Sequence, residues 1–271
     1  ASGARLYRLY DAFRNSFEHL AGQPLSKPRI YLDHAATSPL RPEAKAAMEE
    51  GFAIWANPSS PHAEGRKAKQ ALEDARARVK AALKWDGEVI FTSGASEALW
   101  IALNRAKVDR RIVSAVEHDA VFRAAPDAEV VPVEPSGLPD IELLCNRLKG
   151  GDRVIVAVQT INSETGKVVL NLPDAQNVLA KTLTENGSFL LADCSQSVGK
   201  FPLPWAHMAV VSAHKFGGPI GIGALLVRDY AMLHPIGGHE RGYRQGTENL
   251  PAILGMAAAL EAGGIATWAT S

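Results

Sequence analysis

Residues 89–103 read Val89-Ile90-Phe91-Thr92-Ser93-Gly94-Ala95-Ser96-Glu97-Ala98-Leu99-Trp100-Ile101-Ala102-Leu103. A short apolar run stops at a polar turn containing glycine, and an alanine- and leucine-rich stretch of helical length follows. The segment reads as strand, tight turn, helix. Working outward, further apolar runs occur at Ile112-Val113, Val130-Val131, Val154 to Val158, Phe189 to Ala192, Ala209 to Val211 and Ala224 to Val227, several of them separated by helical stretches. Continuous apolar strands are buried on both faces, and parallel strands need crossover connections. The pattern predicts an α/β fold: a mostly parallel seven-stranded sheet flanked by helices.

Upstream, Ala68, Leu72, Ala75, Val79 and Ala82 recur at steps of three and four between Pro61 and Leu83, which predicts an amphipathic helix. Leu6, Leu9, Tyr10, Phe13 and Phe17 form a separate apolar stripe ended by Gly22 and Pro24. The expected organisation is an N-terminal helical segment over 1–28, belonging to a smaller second layer, and a large domain over 29–255. Residues 256–271 would begin a small C-terminal domain that is otherwise largely missing.

Lys plus Arg and Asp plus Glu balance at 29 each among 271 residues, so no global field favours nucleic acid or an acidic membrane surface. A small-molecule substrate fits better. No apolar stretch approaches the roughly 20 residues of a membrane span. The charged, amphipathic N-terminus lacks the pattern of a secretory signal, so a cytoplasmic location is expected. Cys145 and Cys194 are too few for a disulfide scaffold and lack zinc-site spacing, and no metal site is expected.

Open parallel sheets put their chemistry in the loops after the carboxyl ends of strands. After Phe91, free amides at a helix start, with the hydroxyls of Ser93 or Ser96, suit a phosphate; alone, Ser96 reads as an ordinary N-cap. Asp193 follows the apolar Phe189-Leu190-Leu191-Ala192, where a carboxylate calls for a cation. A protonated pyridine nitrogen would serve, although an N-cap or ion-pair role fits equally. Lys215 follows Val210-Val211-Ser212-Ala213-His214 and precedes Phe216-Gly217-Gly218, a place where an amine can attack an aldehyde. Taken singly it is an ordinary surface lysine. Together the three supply what a phosphorylated pyridine aldehyde requires.

The segments YLDHAAT (31–37), NPSSPHAEG (57–65), FTSGASEA (91–98), EHDA (117–120), DCSQSVGK (193–200), SAHKFGGPIGIGALLVR (212–228) and GGHERGYRQGTEN (237–249) resemble the NifS/IscS-like cysteine desulfurases of the class V aminotransferase family. The resemblance runs in order from Ile30 to Glu261. It implies a fold-type I enzyme dependent on pyridoxal 5′-phosphate, converting L-cysteine to L-alanine and passing the sulfur to an acceptor as persulfide. Lys215 would carry the cofactor as a Schiff base and move the Cα proton. Asp193 would pair with the ring nitrogen, Gln196 would bond the ring hydroxyl oxygen, and His118 would stack on the ring and shuttle protons. The phosphate would be held by Ala95, Ser96, Ser212 and His214, with Thr247 reaching across from a second copy in a homodimer. A sulfur-acceptor protein, as in iron–sulfur cluster assembly or tRNA thiolation, would be the other partner.

Two departures stand out. The family pattern has asparagine directly before Glu164, where this chain has Ser163, leaving the cofactor contact open between Asn162 and Ser163. The family's persulfide cysteine and its substrate-carboxylate arginine are expected beyond residue 271. Cys145 and Cys194 read as packing residues, and Arg241 and Arg244 as carboxylate candidates or as residues shaping the dimer loop. His34 and His62 are expected near the substrate mouth. The competing readings are another class V enzyme, such as an aminotransferase or selenocysteine lyase, and a non-catalytic homologue lacking the cysteine loop.

Overall fold

The computed structural model describes residues 30–170 and 173–263. The expected helix within 1–28 lies outside the described residues. The chain divides into two units, residues 1–33 and 34–271, and the second holds every helix and strand named here.

The elements run α1 (Pro42–Ala53), α2 (Ala63–Leu83), β1 (Glu88–Thr92), α3 (Ala95–Arg105), β2 (Arg110–Ser114), α4 (Asp119–Ala124), β3 (Glu129–Val131), α5 (Ile141–Arg147), β4 (Val154–Gln159), α6 (Pro173–Glu185), β5 (Phe189–Asp193), β6 (Met208–Ser212), β7 (Gly223–Val227) and α7 (Leu250–Glu261). Every apolar run read as a strand lies in one of the seven. They form one sheet in the order β1-β7-β6-β5-β4-β2-β3. β7 is antiparallel to both its neighbours and the remaining pairs are parallel. The sheet is therefore α/β and mostly parallel, and β1 and β6 point the same way on either side of β7.

Strand alternation sorts side chains into two cores. Val154, Val156 and Val158 of β4 face one side with Leu72, Ala75 and Val79 of α2. Ile155 and Ala157 face the other with Leu99 and Leu103 of α3. The expected helix to Leu83 begins at Ala63, where the His62 imidazole caps it by accepting from Gly65 N–H at 3.1 Å.

α7 packs on α1 and α2, and its approach to α1 depends on a missing side chain. A Cβ at Gly255 would lie 2.7 Å from Met48 Cγ and 3.2 Å from the Ala44 carbonyl oxygen. The domain boundary expected at 255/256 falls inside α7, whose Ile253 and Met256 belong to the same core.

Where α2, β1 and the 237–249 loop meet, Arg76 and Glu240 form a buried ion pair, each 4% exposed. The guanidinium donates to Glu240 at 2.7 and 3.0 Å and to the Val89 carbonyl at 2.7 Å, and Glu240 also accepts from Phe91 N–H at 2.8 Å. The hydrogen bonds and attraction from Glu240 outweigh burial and hold the guanidinium even more firmly protonated than usual. Removing one partner of such a pair strands a buried charge. Glu240→Ala is expected to lower the unfolding free energy by about 3–5 kcal/mol in urea titration, and a change under about 1 kcal/mol, the size of an exposed pair, would contradict that assignment.

Candidate active site

The carboxyl-terminal ends of β1, β4, β5 and β6, with the loop after β2, enclose a cavity of about 420 Å³, within the range of small-molecule sites. Among its lining residues are Ala95, Ser96, His118, Ser163, Asp193, Gln196, Ser212, His214 and Lys215. Thr247 does not line it. That side chain is exposed and borders a separate concavity with Trp55, Asn57 and Pro58. His34 and His62 also lie outside the cavity lining, and Arg241 pairs with Glu73 at 2.9 Å.

Each side chain reaches the cavity through local geometry. Helix α3 starts after Gly94, which offers no side-chain cap, so the first-turn amides carry the exposed positive end of the helix dipole. That turn sits directly over β7. A Cβ at Gly223 would lie 2.9 Å from the Gly94 backbone and 2.5 Å from the Val211 carbonyl oxygen, so only glycine lets the turn seat there. Asp193 ends β5 at 7% exposure, and its Oδ1 accepts from Ser195 N–H at 2.9 Å. Among the described residues no lysine or arginine forms an ion pair with it, and the cavity-lining hydroxyl of Ser195 is buried without a partner.

Lys215 closes the 3₁₀ turn Ala213–Lys215 that follows β6. Its Nζ donates to the carbonyls of Ala35 and Ala36, the latter at 2.9 Å, and Ala35 also accepts from Gln196 Nε2 at 2.9 Å. The 35–38 segment is fixed in turn by Ser38, whose N–H donates to the His214 carbonyl at 2.7 Å and whose hydroxyl donates to the Lys215 carbonyl at 3.0 Å. Burial, then the nearby Lys215 charge, pushes the His214 imidazole below its usual value, favouring the neutral ring. His118 Nδ1 accepts from Ala120 N–H at 3.1 Å, which fixes the ring orientation and leaves Nε2 for other contacts.

Asn162 and Ser163, between which the sequence leaves the cofactor contact open, differ in what their side chains already bond. The Asn162 side chain is consumed by its own turn: Oδ1 accepts from the amides of Glu164 and Thr165 and from the Thr165 hydroxyl at 2.9–3.1 Å, and Nδ2 donates to the Val116 carbonyl at 3.3 Å. Ser163 lines the cavity instead.

Taken together, the cavity presents a lysine, a buried carboxylate with no cation, an orphaned hydroxyl and a helix N-terminus. That donor set fits a phosphorylated pyridine aldehyde: an amine for the carbonyl carbon, an anion for a ring cation, and amides for the phosphate.

One buried acid beside the cavity was not singled out from sequence, although it stands in the EHDA segment, between the lining residue His118 and the end of β2. Glu117 is 7% exposed, accepts from Gln159 N–H at 3.0 Å through Oε1, and has a buried Oε2 without a partner. Gln159 pairs in register with Asp193 across β4 and β5. Burial, with the neighbouring Asp193 charge adding to it, drives the Glu117 carboxyl well above the usual carboxylate range. The signal available in sequence was its place three residues after a buried strand end.

The sequence matches the family Aminotransferase class-V over residues 30–267. It is 34% identical over 258 residues to a cysteine desulfurase IscS of Dictyoglomus turgidum, covering 87% of this chain and 64% of that protein. It is 37% identical over 260 residues to a cysteine desulfurase of Rhodobacter capsulatus, covering 88% and 66%. Thus the chain spans about two thirds or less of the length of these relatives. Among solved structures, a NifS-like protein superposes with TM-score 0.79 at 30% identity, covering 90% of this chain and 72% of that one. The NifS-like protein of Rickettsia africae gives 0.78 at 29%, covering 89% and 71%.

The raised Glu117 carboxyl has a signed consequence. The folded protein holds this proton while the unfolded chain releases it near its ordinary value of 4.5, so the contribution is full below that pH and is lost as pH rises toward the folded value. The stability of the wild type relative to Glu117→Gln should therefore fall with rising pH above about 4.5, by up to about 1.4 kcal/mol per pH unit. Urea titrations of both proteins across a pH series test this. A difference independent of pH would show that Glu117 is ionised in the fold.

Proposed function

Because this chain belongs to the class V aminotransferase family, alongside NifS- and IscS-like cysteine desulfurases, we propose that it holds pyridoxal phosphate and acts in the desulfuration of L-cysteine to L-alanine. The observation that carries the reading is the convergence of Lys215, Asp193, Gln196, His118 and the uncapped start of α3 on one cavity. When bound, the cofactor supplies an electron sink for charge developing at the substrate Cα.

The chain's own residues do the rest. Asp193, buried at the end of β5, would face the positive charge of the ring nitrogen. The amides of Ala95 and Ser96, with Ser212 and His214, bind the phosphate, and Ser163 takes the polar contact that Asn162 cannot reach. Gln196 orients the ring hydroxyl through the amide that Ala35 steadies. Lys215 would hold the aldehyde carbon and would be the base for the Cα proton, and His118, whose Nδ1 is taken up by Ala120 N–H, would offer Nε2 as a second proton carrier. A neutral His214 beside Lys215 spares the lysine a further neighbouring cation.

Neither cysteine suits sulfur acceptance. Cys194 is fully buried, and burial followed by the Asp193 charge pushes its thiol far up, away from the reactive thiolate. Cys145 sits in α5 with its sulfur 4.0 Å from the Thr182 hydroxyl, outside the cavity lining. We assign sulfur acceptance to a thiol outside these 271 residues, with an acceptor protein receiving the persulfide.

The reading includes a homodimer in which Thr247 of a second copy completes the phosphate site, since Thr247 does not line its own chain's cavity. It also includes a cytoplasmic location, in keeping with two free cysteines. Among the described residues no helix is long and apolar enough to cross a membrane, and no cluster could hold a metal ion.

Mixing the protein with pyridoxal phosphate should produce a visible absorption band that changes on addition of L-cysteine. Lys215→Ala, with an unchanged circular dichroism spectrum, should lack the band. A folded wild-type protein that develops no band would remove this function, and a response to other amino acids but not to cysteine would favour a class V aminotransferase.

A further inference from the structure

Glu97 sits in the first turn of α3, against the amides that would take a phosphate, where a lone carboxylate would repel that anion. It is not alone. Its Oε2 accepts from Ser93 N–H at 2.5 Å, and its two oxygens accept from Arg244 Nε at 3.0 and 3.2 Å. Both side chains are largely shielded, at 26% and 17% exposure, so the pair is screened less than one on open surface. One carboxylate thus ties the residue before the helix start to a loop 147 residues away.

That loop is a closed knot. The backbones of His239 and Arg244 pair at 2.8 and 3.2 Å, and Arg244 Nη1 donates to the Gly246 carbonyl at 3.1 Å. Glu248 accepts from the Glu240 amide at 3.3 Å and bonds His239 Nδ1 at 3.0 Å. Thr247 stands between Gly246 and Glu248, exposed, at the tip of this knot. Glu240 anchors the base to Arg76, while Arg241 leans on Glu73. Among the described residues, the hydrogen-bonded contact between this loop and the anion turn is the Glu97–Arg244 pair.

The geometry points to Glu97 and Arg244 as positioning residues that couple two phosphate sites: the pair links the anion turn of one chain to the Thr247 loop that serves a second copy. The inference rests on the dimer reading given above. A phosphate settling on the Ala95 and Ser96 amides adds negative charge beside Glu97, which increases the total attraction of the anion turn for Arg244. Arg244 then fixes Gly246 and, next to it, Thr247, so loading one site prepares the other. By linkage the effect runs equally in the reverse direction. A plain helix cap would explain the Ser93 bond alone, and would make no use of an arginine so distant in sequence.

The test is loading of pyridoxal phosphate onto mixed dimers, with borohydride fixing the cofactor on Lys215 and mass spectrometry counting it. One chain carries Lys215→Ala, so only its wild-type lysine partner is labelled. Arg244→Gln is placed either on the Lys215→Ala chain, where its Thr247 loop serves the labelled site, or on the labelled chain, where it disturbs that chain's own turn. Coupling predicts weaker loading in both arrangements, by about tenfold each, with Glu97→Gln behaving alike and the double variant no worse than either single one. Loss in one arrangement only, or in neither, overturns the coupling and leaves the pair as a local prop. A single-chain mass by light scattering, with the cofactor band still present, would overturn the dimer reading and the coupling together while sparing the cofactor site.

Discussion

Strands β4, β5 and β6 lie side by side in parallel with both faces covered, and this constraint decides where polar chemistry can exist. Along their lengths these strands carry no polar side chain, because burial of one without a partner costs several kcal/mol. Polarity is pushed to the carboxyl-terminal residue: Gln159, Asp193 and Ser212, with Thr92 and Ser114 ending β1 and β2. All five are buried. Three of them meet the cost by bonding the loop that follows their own strand, and Gln159 does so by bonding the loop after β2. Thr92 donates to Gly94, Ser114 accepts from Val116, Gln159 donates to Val116, and Asp193 accepts from Ser195. Residues that the sheet cannot tolerate within it thus become the staples of the loops above it, which gives the cavity its fixed shape.

β7 serves the same end from the opposite direction. Running antiparallel between β1 and β6, it enters at this edge with Gly223, and the absent side chain lets the Gly94 turn descend onto the sheet. The anion turn is therefore seated by β7 as much as it is created by the start of α3.

Sequence made much of this legible because the signals are local. Apolar runs bounded by turns marked all seven strands, and residues placed just after such runs pointed to Asp193, Ser96 and Lys215. What sequence could not give depends on pairing across the chain. Arg76 and Glu240 are 164 residues apart, and Glu97 and Arg244 are 147; nothing in either neighbourhood signals the other. Arg244 read as a carboxylate candidate because a lone arginine near a site shows its charge and not its partner. Asn162 and Ser163 could not be separated either, since the answer depends on which of them the turn consumes. Glu117 was hidden for a subtler reason: next to a histidine it resembles an ordinary polar loop residue until its burial is known.

Glu117 also bears on how Asp193 works. Each acid keeps one amide donor, from Gln159 to Glu117 and from Ser195 to Asp193, but Oε2 of Glu117 is buried without a partner whereas Asp193 borders the cavity. Burial, and then the neighbouring Asp193 charge, hold the Glu117 carboxyl well above the usual carboxylate range, beside the space where a ring cation would sit. A cation there would relieve the repulsion that Asp193 exerts on Glu117, so occupation of the cavity and the protonation of this buried acid are thermodynamically linked.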